Sequence, residues 1–131
     1  MTTFPDSHAE FLDFPVASLT TIGDDGFPQS TLIWFLHDEG ELRISLNETR
    51  LKTKNLRRRP QVSLLIPDLN DQMKYLEVRG TARMEDDPGG VFASKVGAKY
   101  GADLAAYDAP GDQRVVVTIE PRNVRAVNMH G

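Results

Sequence analysis

Residues 49–60 read TRLKTKNLRRRP and hold six of the 15 lysine and arginine residues in a chain of net charge −4. Lysine, arginine and leucine favour a helix, Thr49 is a suitable N-cap, and Pro60 ends the pattern. Arg50 and Lys52 nevertheless stand at the N-terminal end, where a cation opposes the helix dipole. An anion held by backbone N–H groups and both side chains accounts for this placement. We therefore predict a phosphate site, with a solvated basic face as the alternative.

Segments rich in β-branched and alternating apolar residues lie on both sides of this helix and predict strands. Most connections between them are too short for parallel crossovers, so the sheet is predicted to be antiparallel. Closing such a sheet into a barrel removes its edges. We predict a mainly β fold, a six-stranded antiparallel β-barrel with added helices. The six strands are predicted at residues 15–22, 29–37, 42–46, 62–66, 74–84 and 114–127.

Two further helices and one glycine carry local signals. Ser7 and Glu10 are spaced as a capping box for a short N-terminal helix. Asp87 is placed as the N-cap of a second helix, with Pro88 at its first position. Gly80 lies inside a predicted strand, where glycine marks a bulge, a barrel corner or the close approach of a ligand.

The bulk composition limits the classes of protein that the chain can represent. A length of 131 residues predicts a single domain, residues 1–131. The chain has no cysteine, which excludes disulfides, zinc–thiolate sites and cysteine nucleophiles. No apolar run has the length of a membrane helix, and no signal-peptide layout is present, so a cytoplasmic protein without membrane association is expected. A pI near 5.3 argues against sequence-independent binding of nucleic acid.

Catalytic side chains are not evident. No serine lies in a nucleophile-elbow context, and no spacing is typical of metal ligands. His8, His37 and His130 are expected at the surface. A chain with an anion site and no catalytic residue either only binds its ligand or leaves the reaction to a cofactor. We assign no catalytic residue and no metal ligand.

Side chains next to the basic helix fit a cofactor. The hydroxyls of Ser30, Thr31, Ser45 and Thr49 are placed to orient a phosphate or a polar ring edge. Trp34 and Phe35, with Tyr75, offer aromatic surface, although plain core packing is favoured for Trp34 and Phe35.

Four motifs together resemble a known family. They are Gly-Phe-Pro-Gln-Ser-Thr at 26–31, Ile44-Ser45, Thr49-Arg50-x-Lys52-x-x-Asn55-Leu56-x-x-x-Pro60, and YLEVRGTA at 75–82. The chain resembles the pyridoxamine-phosphate-oxidase-like split β-barrel family and, within it, the branch of reductases that depend on the deazaflavin coenzyme F420. The resemblance extends over about residues 10–127, and it implies an FMN-binding-like split β-barrel.

The resemblance also implies a homodimer with two cofactor sites, each built from both subunits. Arg50 and Lys52 match the positions that hold the cofactor phosphate, with Asn55 in support. Gln29, Ser30 and Thr31 match the strand beneath the ring, and Ser45 matches the strand over the ribityl chain. The implied cofactor-binding residues are Gln29, Ser30, Thr31, Ser45, Thr49, Arg50, Lys52, Asn55 and Tyr75.

The predicted function is that of an oxidoreductase that transfers a hydride from reduced F420 to a small unsaturated or quinone-like acceptor, with the proton taken from solvent. Lys54, Arg57 and Arg58 are available for the anionic tail of F420. The C-terminus, RAVNMHG, lacks the Arg-x-His motif of pyridoxamine phosphate oxidases, which disfavours vitamin B6 oxidation. The alternatives are an FMN-dependent oxidoreductase, a non-catalytic flavin or F420 carrier, and a nucleic-acid-binding barrel that uses Arg57–Arg59.

Overall fold

The computed structural model describes residues 3–131, which form a seven-stranded antiparallel sheet flanked by helices. The predicted mainly β, antiparallel split barrel is confirmed, with seven strands rather than six. Their order across the sheet is β2-β1-β5-β6-β7-β4-β3. The strands are β1 (Ala17–Ile22), β2 (Pro28–Ile33), β3 (Leu36–Asp38), β4 (Glu41–Asn47), β5 (Gln61–Asp68), β6 (Asp71–Asp86) and β7 (Arg114–Asn128).

Two α-helices and three 3₁₀ segments complete the described chain. The α-helices are α1 (Leu51–Arg58) and α2 (Val91–Tyr100). The 3₁₀ segments are Asp6–Asp13, Pro88–Gly90 and Leu104–Tyr107. None of the helices in residues 3–131 combines the length and apolar character needed to cross a membrane.

The long strands β6 and β7 join the two halves of the sheet. The first part of β6 pairs with β5, whereas the first part of β7 pairs with β4. Alternating side chains of β1, β4 and β5 point to one side and form much of the core, as in β4, where Leu42, Ile44 and Leu46 are buried. The ends of β2 and β4 border a cleft in the surface, where a ligand can approach them.

The predicted strand over residues 29–37 is wrong in one respect, because it breaks at Trp34 and Phe35. Phe35 is fully buried, and its backbone N–H and carbonyl both hydrogen-bond the hydroxyl of Tyr100, each at 3.1 Å. The ammonium of Lys99 donates to the same carbonyl at 2.9 Å. These contacts replace strand pairing at the break and raise the strand count to seven. Core packing is confirmed for Phe35 and is wrong for Trp34, which is 38% exposed.

The helix starts also differ in part from the predictions. The Ser7–Glu10 capping box is absent, because the Ser7 hydroxyl hydrogen-bonds the neighbouring His8 ring at 3.0 Å and the segment has no side-chain cap. Thr49 is not the N-cap of α1. Its N–H and hydroxyl both donate to Asn47 Oδ1, at 2.9 and 2.7 Å, so that Arg50 occupies the N-cap position.

Asp87 caps the second helix with its side chain, but its predicted position as the N-cap residue is wrong, because a 3₁₀ turn intervenes and Gly90 is the N-cap of α2. Its two carboxylate oxygens accept hydrogen bonds from the N–H groups of Phe92 and Ala93, at 3.0 and 2.9 Å. Pro88 begins a 3₁₀ turn, and α2 starts only at Val91. The surface expectation for the histidines is wrong for His8, which is buried with Nε2 3.0 Å from the carbonyl oxygen of Val127.

Gly80 marks a bulge between β6 and β7, as its position in the sequence predicts. A Cβ at this residue would overlap the carbonyl oxygen of Glu120 and lie 2.9 Å from the carbonyl carbon. The obstacle is backbone, so a side-chain rotation cannot relieve it. We expect Gly80→Ala to lower the free energy of unfolding by about 2 kcal/mol, as overpacking does.

Urea denaturation measures this change, and Glu120→Ala serves as the control. Removing the Glu120 side chain leaves the backbone obstacle in place, so the double variant should be no more stable than Gly80→Ala. An unchanged urea midpoint in Gly80→Ala contradicts the assigned close approach.

Candidate functional site

A cleft of about 610 Å³ opens where the ends of β2 and β4 meet the N-terminus of α1. The helix α2 and the segment Leu104–Tyr107 form its other side. The lining combines cations, polar side chains and apolar surface, which is the composition expected of a site for a charged organic ligand. The lining residues are Val16, Leu32, Ile33, Trp34, Ser45, Leu46, Asn47, Arg50, Lys52, Val96, Leu104, Tyr107 and Arg114.

Arg50 and Lys52 stand together in this cleft, as the predicted phosphate site requires. Within residues 3–131, the guanidinium of Arg50 makes no hydrogen bond or ion pair, although it lies near enough to Asp108 to lower that carboxyl's pKa. Lys52 Nζ donates to Thr31 Oγ1 at 3.2 Å. Burial, and then the charge of Arg50, lower the pKa of Lys52 below its ordinary 10.5. A bound anion would relieve both effects, so the residues present fit a phosphate.

The N-terminus of α1 adds backbone donors to this pair of cations. No side chain of the described residues caps the helix. The Arg50 carbonyl accepts the first hydrogen bonds of the helix, from the N–H groups of Thr53 and Lys54, at 3.1 and 3.2 Å. Among residues 3–131, the N–H groups of Leu51 and Lys52 have no acceptor and are left for an external one. The eight-residue helix thus directs its positive dipole end into the cleft.

Arg57 and Arg58 of α1, and Arg59 directly after it, are paired with acidic side chains. Arg57 forms hydrogen bonds of 2.6 and 2.9 Å with the Glu48 carboxylate. Arg58 and Arg59 both bind the carboxylate of Asp24. Their hydrogen bonds lower the pKa of Asp24, and Arg57 does the same to that of Glu48. The three arginines on which binding of a nucleic acid would depend are therefore already paired with carboxylates of the same chain.

Gln29 and Asn55 anchor the helix to the sheet. The Asn55 amide donates to Thr21 Oγ1 at 3.1 Å and to Gln29 Oε1 at 3.2 Å. Asn55 and Thr21 are buried. This contact fixes α1 against β1 and β2 and so fixes the position of Arg50 and Lys52. Asn55, which was predicted to support the phosphate site, thus lies behind the cleft and not in its lining.

The other predicted site residues are distributed unevenly. Ser45 lines the cleft, and Thr31 reaches it through Lys52. Three residues lie outside the cleft of this single chain. Ser30 is exposed and hydrogen-bonds Thr20 at 2.8 Å, Thr49 bonds Asn47, and Tyr75 pairs with Pro67 and Val127 in the sheet.

A network of polar side chains beside the cleft was not predicted from the sequence. We call this network, formed by Ser45, Asn47, Asp108, Asp112 and Arg114, the strap. Arg114, the first residue of β7, forms two hydrogen bonds with the Asp108 carboxylate, at 2.9 and 2.8 Å, and donates to Ser45 Oγ at 3.3 Å. The Asn47 amide donates to Asp108 and Asp112, each at 2.9 Å. Arg114, and secondarily Asn47, hold the pKa of Asp108 below its ordinary value. These contacts fix the loop after α2 as one wall.

The site offers cations, polar side chains and backbone donors that can bind and orient a ligand. Within residues 3–131, no group of three histidine or acidic side chains is placed to hold a metal ion. The cleft combines one cationic end with apolar and aromatic walls. Such a cleft can hold the phosphate of a planar organic molecule and shield its ring from water.

The fold and the site together define a split β-barrel protein with one cationic ligand cleft per chain. The sequence profile described as pyridoxamine 5'-phosphate oxidase matches residues 4–128. The chain therefore belongs to the pyridoxamine 5'-phosphate oxidase family, as the sequence motifs indicated.

Solved structures extend this assignment. An F420 reductase superimposes with a TM-score of 0.82 at 30% identity, over 93% of this chain and 98% of that one. This similarity confirms the predicted resemblance to the F420 reductase branch. A Listeria innocua protein provisionally described as a pyridoxamine 5'-phosphate oxidase has a TM-score of 0.68 at 26% identity, with 94% and 97% of the two chains covered.

The same fold also occurs in a protein with a different described role. HutZ, a heme storage protein from Vibrio cholerae, has a TM-score of 0.73 at 15% identity and covers 99% of this chain and 100% of its own. At this identity the likeness concerns the fold alone.

Proposed function

We propose that this protein is an oxidoreductase that binds F420 and reduces a small organic acceptor. The observation that carries the proposal is the pair Arg50 and Lys52 at the uncapped start of α1, without an acidic ion-pair partner among residues 3–131. The similarity to an F420 reductase supports the choice of cofactor. When bound, reduced F420 supplies the hydride.

The chain's own residues bind and orient. Arg50 and Lys52, with the first N–H groups of α1, would hold the phosphate, and Thr31 keeps the Lys52 ammonium in place. Ser45 presents its hydroxyl to the cleft, where Arg114 donates to it at 3.3 Å. The apolar side chains of Val96 and Leu104 exclude water from the ring. With no general acid assigned, the proton that completes the reduction comes from solvent.

The basic residues beyond the cleft contribute less to F420 recognition than the sequence indicated. Arg57 and Arg58 are engaged by Glu48 and Asp24, so their charges are already neutralised. Lys54 remains exposed on α1. Lys54 does not line the cleft, so the proposed preference for F420 over FMN rests on the similarity to an F420 reductase and not on these three side chains.

Turnover tests the proposal directly. Reduced F420 is mixed with the protein and menadione, a quinone, and the return of oxidised F420 absorbance is followed. We expect a rate proportional to protein concentration that is absent in the Arg50→Ala, Lys52→Ala double variant. Tight F420 binding without turnover across a panel of quinones and unsaturated acceptors would favour the non-catalytic carrier instead.

We further propose a homodimer in which each cleft is completed by the partner. Leu32 and Leu65 are 74% and 36% exposed, and both pair with Ser18 of β1, one from each side. They therefore lie on the same outer face of the sheet, where adjoining apolar residues are typical of an interface. Tyr75, which lies outside the cleft of its own chain, fits a contribution to the partner's cleft.

A charge on this face is expected to separate the subunits. Leu65→Glu should convert a dimer to a monomer at micromolar concentration, because a carboxylate would be buried without a partner. Light scattering measures the mass. Val91→Glu, at an exposed apolar residue at the start of α2, is the matched control and should leave the dimer intact. A monomeric wild-type protein contradicts the dimer.

A further inference from the structure

Trp34 is the only tryptophan of the chain, and its placement is not explained by core packing. It is 38% exposed and lines the cleft next to Leu32 and Ile33. Its neighbour Phe35 is fully buried. The strand break thus directs two successive aromatic side chains to different environments, one into the core and one to the cleft.

The indole of Trp34 is held on one side by Tyr100. The two rings are parallel within 6°, with centroids 4.3 Å apart. The Tyr100 hydroxyl is itself fixed by the N–H and carbonyl of Phe35, each at 3.1 Å. Lys99 adds hydrogen bonds of 2.9 Å to the carbonyls of Phe14 and Phe35. The end of α2 therefore clamps the backbone on which Trp34 stands, and the indole is preorganised.

The geometry leaves one indole face for a ligand. Tyr100 covers the other face and is not among the residues that line the cleft, whereas Trp34 is. Trp34 follows Thr31, the partner of Lys52, by three residues, which is about 10 Å along an extended chain. The indole thus lies a few residues from the contact to Lys52, and both Trp34 and Lys52 line the same cleft.

We propose that the free face of Trp34 stacks against a planar conjugated ring of the bound ligand, with Tyr100 as the second layer behind it. The ring is that of the cofactor or that of a flat acceptor, since both present the same π surface to an indole. The inference rests on the proposed function for the identity of the cofactor. It does not require the anion site, because stacking depends on the ring alone.

The test compares Trp34→Leu and Trp34→Phe with wild type, and Phe27→Leu is the matched control. Phe27 is 71% exposed on the β1–β2 turn and lies outside the cleft. Dissociation constants for FMN, F420 and menadione are measured by equilibrium dialysis, and the emission of bound FMN and F420 is recorded. We expect Trp34→Leu to weaken the binding of the ligand whose ring stacks by about tenfold, and Trp34→Phe to weaken it much less.

The emission of the ligand separates stacking from a general loss of structure. A stacked indole quenches a flavin, so bound FMN should be dim in wild type and Phe27→Leu and bright in Trp34→Leu. Weakened binding of FMN or F420 in Trp34→Leu assigns the stack to the cofactor ring. Weakened binding of menadione alone assigns it to the acceptor.

Two outcomes overturn the inference. One is unchanged affinity of Trp34→Leu for all three molecules, with FMN emission as in wild type. The other is a wild-type protein that binds none of them. If Arg50→Ala still weakens cofactor binding in the first case, the proposed function stands and only the stacking role fails. If Trp34→Leu weakens binding and Arg50→Ala does not, the phosphate site fails and the stacking role stands.

Discussion

Replacing Arg50 and Lys52 together by alanine is expected to weaken F420 and FMN binding by roughly a thousandfold. Each side chain offers charge-assisted hydrogen bonds, which contribute about 1.5–3 kcal/mol each, and 1.4 kcal/mol corresponds to a factor of ten. The fold should survive, because Arg50 is exposed without an ion pair to any of residues 3–131 and Lys52 carries a charge that burial disfavours. The thermal midpoint of the unliganded variant should equal or exceed that of wild type.

Lys54→Ala provides the matched control for this pair. It removes one positive charge from the same helix, at an exposed residue that does not line the cleft. Isothermal titration of the double variant, the control and wild type separates a local contact from general attraction. Equal affinity of all three proteins for both cofactors would remove the phosphate assignment.

Replacing Arg114 by methionine is expected to lower the free energy of unfolding by about 3 kcal/mol and to loosen the wall of the cleft. Arg114 and Asp108 are only 13% and 15% exposed in their side chains, so the loss of one partner leaves a largely buried charge. The bond from Arg114 to Ser45 is lost as well. Urea denaturation should show the loss of stability, and cofactor affinity should fall through a faster dissociation rate.

A second substitution distinguishes a broken ion pair from a poorly packed methionine. Asp108→Leu combined with Arg114→Met removes both charges and should recover a large part of the stability, since an apolar pair of similar volume replaces a buried ion pair with little cost. No recovery in the double variant would show that packing, and not the unpaired carboxylate, causes the loss.

The same pair gives the wild-type protein a sensitivity to acid. The Arg114 guanidinium holds the pKa of Asp108 below its ordinary 3.8. The stability from this shift is fully present above 3.8 and is lost as the pH falls through the lowered pKa of the folded state. The loss of stability on acidification should therefore be smaller in the double variant than in wild type.

The cluster of cations at the start of α1 could be predicted because its signal is local. Arg50 and Lys52 lie two residues apart at the start of a helix, and a misplaced charge is visible in a short stretch of sequence. The strap could not be predicted, because Asn47 and Asp108 are 61 residues apart and neither stands in a recognisable motif. Sequence periodicity does not specify which loop folds over a cleft.

The strand break at Trp34 has a similar cause. The run from Gln29 to His37 has the composition of one strand, and it stops because Phe35 bonds the side chains of Lys99 and Tyr100, which lie 64 and 65 residues further along the chain. Core packing was consequently predicted for both aromatic residues and holds for one. The fold class was accessible from short strands and short connections, which depend on local composition.

The central claim, that the cleft holds a phosphorylated flavin or deazaflavin, is tested most directly by titration of the wild-type protein with F420 and FMN in parallel. Quenching of Trp34 emission follows binding, and equilibrium dialysis gives the stoichiometry without dependence on fluorescence. We predict saturable binding of F420 at one molecule per chain, with weaker binding of FMN. A preference for FMN would move the protein to the FMN-dependent oxidoreductases. Binding of neither cofactor would contradict the claim.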